Sequence, residues 1–386
     1  MKFKKIALGL ALAAASLVTT GAFAADTGSG PIKIVGLVEL TGPGTTSGTN
    51  FDNGIKLAVK EINAAGGILG RKVEYKSQDT QSNPGVAKGL TEQAVDDGAY
   101  IVMGPVFSGS ILVSMAVTKN AEIPNFTGGE AAAITQQGNP YVFRSSFTQA
   151  SAMPKVANYI HDKVKAKSVD ILYVNNDFGK GGRDLIIKSL EAKGIKIGAD
   201  ISTESGQIDF SSAVLKAKQG TGDALFAYTN EEESARLLKE LKKQGYSKPV
   251  IGETVLTSQK VVELAGDAAN GAIAHVGLTA DAPQAGVKKF DVAYQKEFNT
   301  RSDHNGIKGY TSMYVVKAVT EKIGKVDSKA FAQAMKGITL SAKTYPGILM
   351  DVSFDANGDL DRESYMTKIV NGKQVVTDIL APLNKK

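Results

Sequence analysis

The stretch IKIVGLVELTGPGTTSGTNFDNGIKLAVKEINAAGGILGRKVEY, residues 32–75, predicts the fold of this chain. Ile32–Leu40 is a short apolar run, typical of a strand that is buried on both faces. Leu40–Asn53 is rich in Gly, Thr and Ser and predicts a loop, after which Asn53 caps a helix. That helix has one apolar face, and Lys72–Asp79 then predicts a second strand. The order indicates a βαβ unit, and in parallel sheets ligands bind at the loop that follows a strand.

Short apolar runs alternate with amphipathic segments along the rest of the chain. Strands are predicted at Tyr100–Val106, Val169–Asn175, Ala224–Thr229 and Pro249–Thr254, and helices at Pro84–Asp97, Gly179–Lys193 and Glu231–Gln244. Such alternation predicts an α/β fold in which mostly parallel sheets carry helices on both faces. The length of 386 residues suggests about two domains. Glu363–Leu380 departs from the pattern, because Asn371-Gly372 between two apolar runs predicts a β-hairpin.

Residues 1–24 are typical of a secretory signal peptide. Three lysines precede the apolar core Ile6–Val18, and Ala22-Phe23-Ala24 matches a cleavage site. The core is shorter than the roughly 20 residues that span a bilayer, which favours cleavage over anchoring. The sequence contains no cysteine, hence neither a disulfide nor a lipid-modified cysteine, and we expect a free periplasmic protein. The net charge of +6 comes from scattered residues and provides no nucleic-acid-binding patch.

Five segments carry a resemblance to a known family: GLVELTGP (36–43), the helix-containing run 53–74, YIVMGPVFSGS (100–110), YVFRSS (141–146) and FGKGGRD (178–184). The chain resembles the periplasmic substrate-binding proteins of the leucine/isoleucine/valine type, which serve ABC transporters. The resemblance implies a two-lobed type I periplasmic binding protein. Its first lobe would comprise residues 31–146 and 278–349, and its second lobe residues 147–277 and 350–386. Three crossings would join them, near Ser145–Thr148, Val276–Leu278 and Leu349–Val352.

The resemblance also implies a function. A monomer would capture an amino acid or similar small carboxylate in the cleft between the lobes and deliver it to a permease in the inner membrane, without a cofactor. One alternative is a binder of an aromatic or other organic acid that lacks an amino group. Another is a solute sensor that reports to a signalling receptor, which the sequence does not separate from a transport component.

The segment Gly104–Ser110 is the first candidate for ligand binding. It follows a predicted strand and opens a predicted helix, and the free N–H groups of a helix N-terminus attract anions. From the residues alone, Ser108 is an ordinary helix cap. The resemblance implies instead that Ser108, beside Phe107, binds the carboxylate of a ligand.

The second candidate is Thr127-Gly128-Gly129-Glu130, which follows the predicted strand Ile123–Phe126. Two glycines allow a ligand to approach the backbone closely. The resemblance implies that the carbonyl of Gly128 and the N–H groups of Gly129 and Glu130 contact the ligand. Glu130 replaces a usual threonine, and it is either a solvent-facing helix cap or the partner of a ligand ammonium.

Further cleft residues follow from the resemblance. On the second lobe, Phe178, Asn230 and Thr254 stand where leucine-type proteins carry Tyr, Tyr and an amine-binding Glu. On the first lobe, Ser47 replaces an aromatic residue and Tyr310 matches one. Because Thr254 is not acidic, a buried ligand ammonium would need another partner, namely one of Glu130, Asp177, Glu231 and Glu253.

Other motifs do not carry a function. Gly42–Gly48 resembles a dinucleotide-binding loop but is one residue too long, and Asp355–Asp361 has Leu360 where a calcium loop requires glycine, so an acidic turn is predicted there. His161 is expected on a polar helix face and His304 in a polar loop, far from each other and from His275. No G-x-S-x-G, H-E-x-x-H or P-loop sequence occurs. We therefore expect neither a catalytic site, including a hydrolase centred on Ser108, nor a metal site.

Overall fold

The first sheet contains five parallel strands. The computed structural model describes Gly28 and residues 30–382, so the predicted signal peptide lies outside the described residues. The strands stand in the order β2-β1-β3-β4-β5. Their bounds are Ile32–Val38 (β1), Val73–Asp79 (β2), Ile101–Met103 (β3), Asn125–Thr127 (β4) and Val142–Arg144 (β5); the helices between them are Thr45–Ala64 (α1), Pro84–Asp96 (α2) and Ser108–Asn120 (α3).

Helix α1 begins earlier than the sequence indicates. Its first residue is Thr45 and its N-cap is Gly44, so Asn53 lies inside the helix and the prediction of a loop over Leu40–Asn53 is wrong. Gly48 packs directly against Glu39, the residue that follows strand β1, because a Cβ on Gly48 would lie 2.2 Å from the carbonyl oxygen of Glu39. Burial of this first turn against the sheet outweighs the low helix propensity of its Gly and Thr residues.

The second sheet has seven strands in the order β15-β14-β10-β9-β8-β6-β7. Its parallel strands are Ser168–Val174 (β6), Lys196–Thr203 (β7), Ala224–Tyr228 (β8), Val250–Glu253 (β9) and Ile273–Val276 (β10). The helices are Gln149–Tyr159 (α4), Asp177–Glu191 (α5), Ser211–Gln219 (α6), Glu231–Lys243 (α7) and Gln259–Ala265 (α8). Both large sheets are thus mostly parallel and flanked by helices, which confirms the predicted fold class.

The chain then returns to the first lobe with three helices: Ala285–Phe298 (α9), His304–Ile323 (α10) and Ser328–Met335 (α11). Helix α10 lies against α1 with the two backbones almost in contact. A Cβ on Gly54 would be 2.0 Å from the carbonyl oxygen of Gly306, and one on Gly309 would be 2.1 Å from that of Phe51. Only glycine permits this approach at either position, and it fixes where the α10 side chains point.

A small antiparallel sheet follows, formed by Thr339–Leu340 (β11), Val352–Phe354 (β12) and Leu360–Asp361 (β13). The turn between β12 and β13 is the acidic turn predicted from the sequence, and the Asp355 carboxylate accepts the N–H groups of Asn357 and Asp359. Asp359 also accepts from the buried guanidinium of Arg144 at 2.7 Å. This contact attaches the turn between β12 and β13 to strand β5 of the first sheet. The division into lobes and the positions of the three crossings stay predictions.

The predicted C-terminal hairpin is confirmed. Its strands are Ser364–Val370 (β14) and Lys373–Leu380 (β15), and β14 pairs antiparallel with β10 at the edge of the second sheet. Within the described part of the chain, no helix is both long and apolar enough to cross a membrane.

Candidate functional site

A cavity of about 230 Å³ lies between the two lobes. Helices α3, α5, α7 and α10 all begin at its wall, with Ser108, Asp177, Glu231 and His304 respectively. Its lining residues are Pro43, Ser47, Ser82, Pro84, Val106, Phe107, Ser108, Gly109, Ser110, Gly128, Gly129, Glu130, Asn176, Asp177, Phe178, Ser205, Asn230, Glu231, Val255, His304, Asn305 and Lys308. Eight of the ten residues predicted for the site lie in this wall; Thr254 and Tyr310 do not.

The start of helix α3 forms part of the first-lobe wall. Ser108 is buried, and its hydroxyl oxygen accepts the N–H of Ala131 at 3.3 Å. Among the described residues, the N–H groups of Ser108, Gly109 and Ser110 have no hydrogen-bond acceptor. The Ser110 hydroxyl is buried and also lacks a partner within residues 30–382. These are donors without an acceptor, at the positive end of a helix dipole.

The approach to α3 is fixed by a buried carboxyl group. Glu39, at the end of β1, accepts the N–H groups of Val106 at 3.1 Å and Phe107 at 2.9 Å. Burial raises the pKa of Glu39 to about 7, although these two hydrogen bonds oppose the rise. Glu39 thus holds the segment that presents Phe107 and Ser108 to the cavity.

The Gly128–Glu130 segment is also part of the first-lobe wall. The Gly128 carbonyl, predicted to face a ligand, accepts the ammonium of Lys308 at 3.3 Å. The Gly129 carbonyl accepts from Arg144 at 2.7 Å and from the Ser146 hydroxyl at 2.6 Å. The N–H groups of Gly129 and Glu130 have no acceptor among the described residues, and their contact with a ligand stays a prediction.

Glu130 is buried rather than solvent-facing, which excludes the helix-cap interpretation. Its carboxylate lies 3.1 Å from the Lys308 ammonium and accepts the hydroxyl of Tyr228, a second-lobe residue, at 3.2 Å. Burial and the neighbouring carboxyl of Glu253 raise the pKa of Glu130 to about 7, against the opposing effect of Lys308. A group that titrates near neutral pH therefore sits at the junction of the lobes.

The second-lobe wall combines an aromatic surface with acidic and amide side chains. The ring of Phe178 stacks on Tyr228 with centroids 4.1 Å apart. Asn230 caps helix α7 in a capping box with Glu233. Glu231 is buried and accepts the Ser47 hydroxyl at 2.9 Å and the Asn305 amide at 3.3 Å, both from the first lobe. Burial, with smaller effects of Asp303 and Glu232, raises the pKa of Glu231 to about 8.

Two predicted residues face elsewhere. The Thr254 hydroxyl donates to Glu253 at 2.5 Å, behind the cavity wall. The Tyr310 hydroxyl donates to Glu61 at 2.6 Å, and its ring packs on Phe290. Residues two apart on a helix point to different faces, so with Lys308 facing the cavity, Tyr310 faces α1.

The sequence interpretation missed the contribution of α10. Lys308 and Asn305 line the cavity, and so does His304, which is the buried first residue of α10 rather than part of a polar loop. Asp303 accepts the N–H groups of Asn305 and Gly306, so an N-cap aspartate before His304 was the available sequence signal for this helix start.

Comparison with known proteins agrees with this architecture. Residues 31–374 match the protein family described as periplasmic binding protein. The Leu/Ile/Val-binding protein BraC3 of Rhizobium johnstonii is 29% identical over 353 residues, which cover 91% of this chain and 94% of that protein. The substrate-binding protein LivJ of Streptococcus pneumoniae, solved with isoleucine, is 26% identical with a TM-score of 0.82, covering 91% of this chain and all of that one (100%).

A second similar structure has the same fold at lower identity. It is a solute-binding protein of an ABC transporter from Rhodopseudomonas palustris, solved with 3,4-dihydroxybenzoic acid, at 24% identity and a TM-score of 0.83, covering 92% of this chain and 97% of that one. The family match spans most of the chain, and members of this family bind solutes rather than catalyse reactions. The chain belongs to the periplasmic binding protein family and is a binding protein of the ABC-transporter type.

Proposed function

We propose that this protein is the periplasmic component of an ABC importer that captures a small carboxylate, an amino acid or a similar acid, between its lobes. The observation that carries the proposal is a set of donors in the wall of one cavity that have no acceptor among residues 30–382: the N–H groups of Ser108–Ser110 and Gly129–Glu130 and the Ser110 hydroxyl. A carboxylate supplies the acceptors these donors lack, at a helix N-terminus that favours negative charge. The Leu/Ile/Val-binding and isoleucine-bound relatives support this assignment.

Lobe closure is the second part of the proposal. Ser47 binds Glu231 and Glu130 binds Tyr228 across the cleft, so each lobe contributes to the same set of hydrogen bonds. A solute that contacts both walls favours the closed arrangement over an open one, because its affinity differs between the two. The closed form would then dock on a permease in the inner membrane and release the solute. A smaller radius of gyration in X-ray scattering after addition of solute is expected, and an unchanged radius with solute bound would contradict closure.

Export to the periplasm completes the proposal. The signal peptide predicted at residues 1–24 implies a mature chain that begins at Ala25. Intact-mass measurement of protein from a periplasmic extract tests this, and a retained leader in the membrane fraction would contradict it.

The direct test of solute capture is a binding screen. Protein freed of bound solute by unfolding and refolding is titrated with amino acids and with carboxylic acids that lack an amino group, and melting temperature and heat of binding are recorded. A ligand that binds only the folded protein raises its melting temperature, by an amount that grows with its concentration. Esters of the same acids serve as controls, because they lack the carboxylate. Equal binding of acid and ester would overturn the assignment of the carboxylate site.

A further inference from the structure

We infer that Lys308 occupies the place of a ligand ammonium, so that the solute bound here is a monocarboxylate with an apolar body and no α-amino group. The inference rests on the proposed function and narrows it to one class of ligand. It follows from three features of the cavity: the partners of Lys308, the surplus of donors around it, and the state of the remaining acidic side chain.

The first feature is that Lys308 uses the acceptors that a ligand ammonium would need. Its ammonium donates to the Gly128 carbonyl at 3.3 Å and to the Glu130 carboxylate at 3.1 Å. Both Lys308 and Glu130 are buried, so neither interaction is weakened by water. A second ammonium at this position would lie beside the like charge of Lys308, and the Glu130 carboxylate would already be paired, which is costly in a buried site.

The second feature is a surplus of donors. Lys308 has three N–H donors and only two of them have partners among the described residues. It lines the same cavity as the start of α3, where the N–H groups of Ser108–Ser110 lack acceptors, and the buried Ser110 hydroxyl has no partner within residues 30–382. A helix N-terminus and a buried ammonium on the same cavity both favour a negative charge between them.

The third feature concerns Glu231, the other acidic group buried in the wall. It is not a free counter-ion for a ligand cation, because it already accepts from Ser47 and Asn305 and joins the two lobes. Burial raises the pKa of Glu231 to about 8, so its surroundings disfavour the ionised form that a ligand cation would need. Asp177 is exposed at the rim of the cavity, where water screens its charge.

The remaining wall is apolar. Phe178, stacked on Tyr228, faces the cavity together with Phe107, Val106 and Val255. Aromatic and branched side chains of this kind remove apolar ligand surface from water, and a flat ring packs well against a ring face. The cavity therefore suits an arylalkyl or branched alkyl carboxylate.

The test compares acids that differ only in the amino group. Refolded wild-type protein is titrated with 3-phenylpropanoate and L-phenylalanine, and with 4-methylpentanoate and L-leucine. We expect each acid without the amino group to bind at least about tenfold more tightly than its amino acid, because the ammonium of the amino acid would lie beside the like charge of Lys308. Tighter or equal binding of the amino acids would overturn the inference and leave the proposed carboxylate site intact. Binding of neither class would overturn both.

A substitution at Lys308 tests the same point from the side of the protein. Lys308→Met keeps the unbranched apolar part of the side chain and removes its ammonium, which leaves the Gly128 carbonyl and Glu130 free for a ligand ammonium. We expect affinity for 3-phenylpropanoate to fall at least about 30-fold, as for loss of one partner of a buried charge pair, and affinity for L-phenylalanine to stay or rise. Lys322→Met, on the exposed end of the same helix, is the matched control. An equal loss for both ligands would contradict the inference, and if Lys308→Met does not fold, the comparison of ligands on the wild-type protein decides.

Discussion

The two walls of the cavity differ in the hydrogen-bonding groups they present. The first-lobe wall is rich in donors, namely backbone N–H groups, serine hydroxyls and the ammonium of Lys308, beside the one carboxyl group of Glu130. The second-lobe wall combines the Phe178 ring with the carboxyl group of Glu231 and the amide of Asn230. This difference indicates which end of a solute faces which lobe. The first lobe provides an anion site that a carboxylate can enter before closure, and the second lobe encloses the rest of the molecule.

The largest expected effect comes from weakening the donor wall. Ser108→Ala removes a hydroxyl at the start of α3, and we expect affinity for a carboxylate solute to fall by about 1.5–3 kcal/mol. That corresponds to roughly 10- to 150-fold in the dissociation constant, measured by isothermal titration calorimetry. Ser114→Ala is the matched control, because Ser114 is a buried residue of α3 whose hydroxyl has no partner among the described residues and which lies outside the cavity wall. Equal losses in the two variants would show that Ser108 acts through the fold and not through the ligand.

The next effect tests the aromatic wall. Phe178→Ala removes the ring that stacks on Tyr228 at 4.1 Å and covers the cavity from the second lobe. An aromatic pair contributes about 0.5–1.5 kcal/mol beyond burial, so we expect roughly a 2- to 12-fold loss of affinity for a ligand with an aromatic body. A short acid such as acetate, which does not reach the second lobe, should bind Phe178→Ala and wild type alike. A loss for acetate of the same size would indicate that the variant perturbs the donor wall as well.

A smaller effect is expected from pH, and its sign separates the two ligand classes. Glu130 has a pKa raised to about 7 and is faced by Lys308, Glu253 and Tyr228. A bound carboxylate repels the ionised form of Glu130 and favours its protonation, so binding takes up protons. Affinity for a monocarboxylate should therefore rise several-fold as the pH falls from 8.5 to 6.5, since one coupled proton changes affinity by at most about tenfold per pH unit. A ligand ammonium would give the opposite slope, and Glu130→Gln should remove the part of the dependence that comes from Glu130 and leave the part that comes from Glu231.

The smallest effect concerns the stability of the unliganded protein. Glu231 has a pKa raised from 4.5 to about 8, so its contribution to stability is fully present below pH 4.5 and is lost as the pH rises through 8. We expect a lower melting temperature at pH 8.5 than at pH 6.5, by about 2–4 °C for each kcal/mol lost. Glu231→Gln should reduce that difference. His275, whose pKa burial lowers to about 3, acts in the other direction by destabilising the fold as the pH falls below 6.5.

The parts of the fold that were predicted from the sequence have local signals. Strand β1 and the hairpin around Asn371-Gly372 follow from apolar runs and turn residues within a few positions. Helix α3 was predicted to begin at Ser110 with Ser108 as a cap, and it begins at Ser108 with Phe107 as its N-cap. The start of α1 has no such signal, because it depends on Gly48 packing against Glu39.

The site was predictable only in part, for the same reason. Ser108, Gly128, Gly129 and Glu130 lie in loops that follow strands, where a ligand is expected in a parallel sheet. Lys308 is 180 residues from its acceptor at Gly128, and a single sequence contains no sign of that pairing. The contact between α10 and α1 decides that Lys308 rather than Tyr310 faces the cavity, and that contact is not visible in the sequence.

The hairpin of β14 and β15 follows every other element of the fold along the chain, and β14 covers the edge of β10. Without Ser364–Leu380, β10 is an outer strand with one row of unpaired backbone groups. Such an edge is a template for pairing with other chains. Every residue of the cavity wall precedes Ser364 in the chain. A chain that stops before Ser364 would thus carry the whole cavity lining and yet be prone to aggregate.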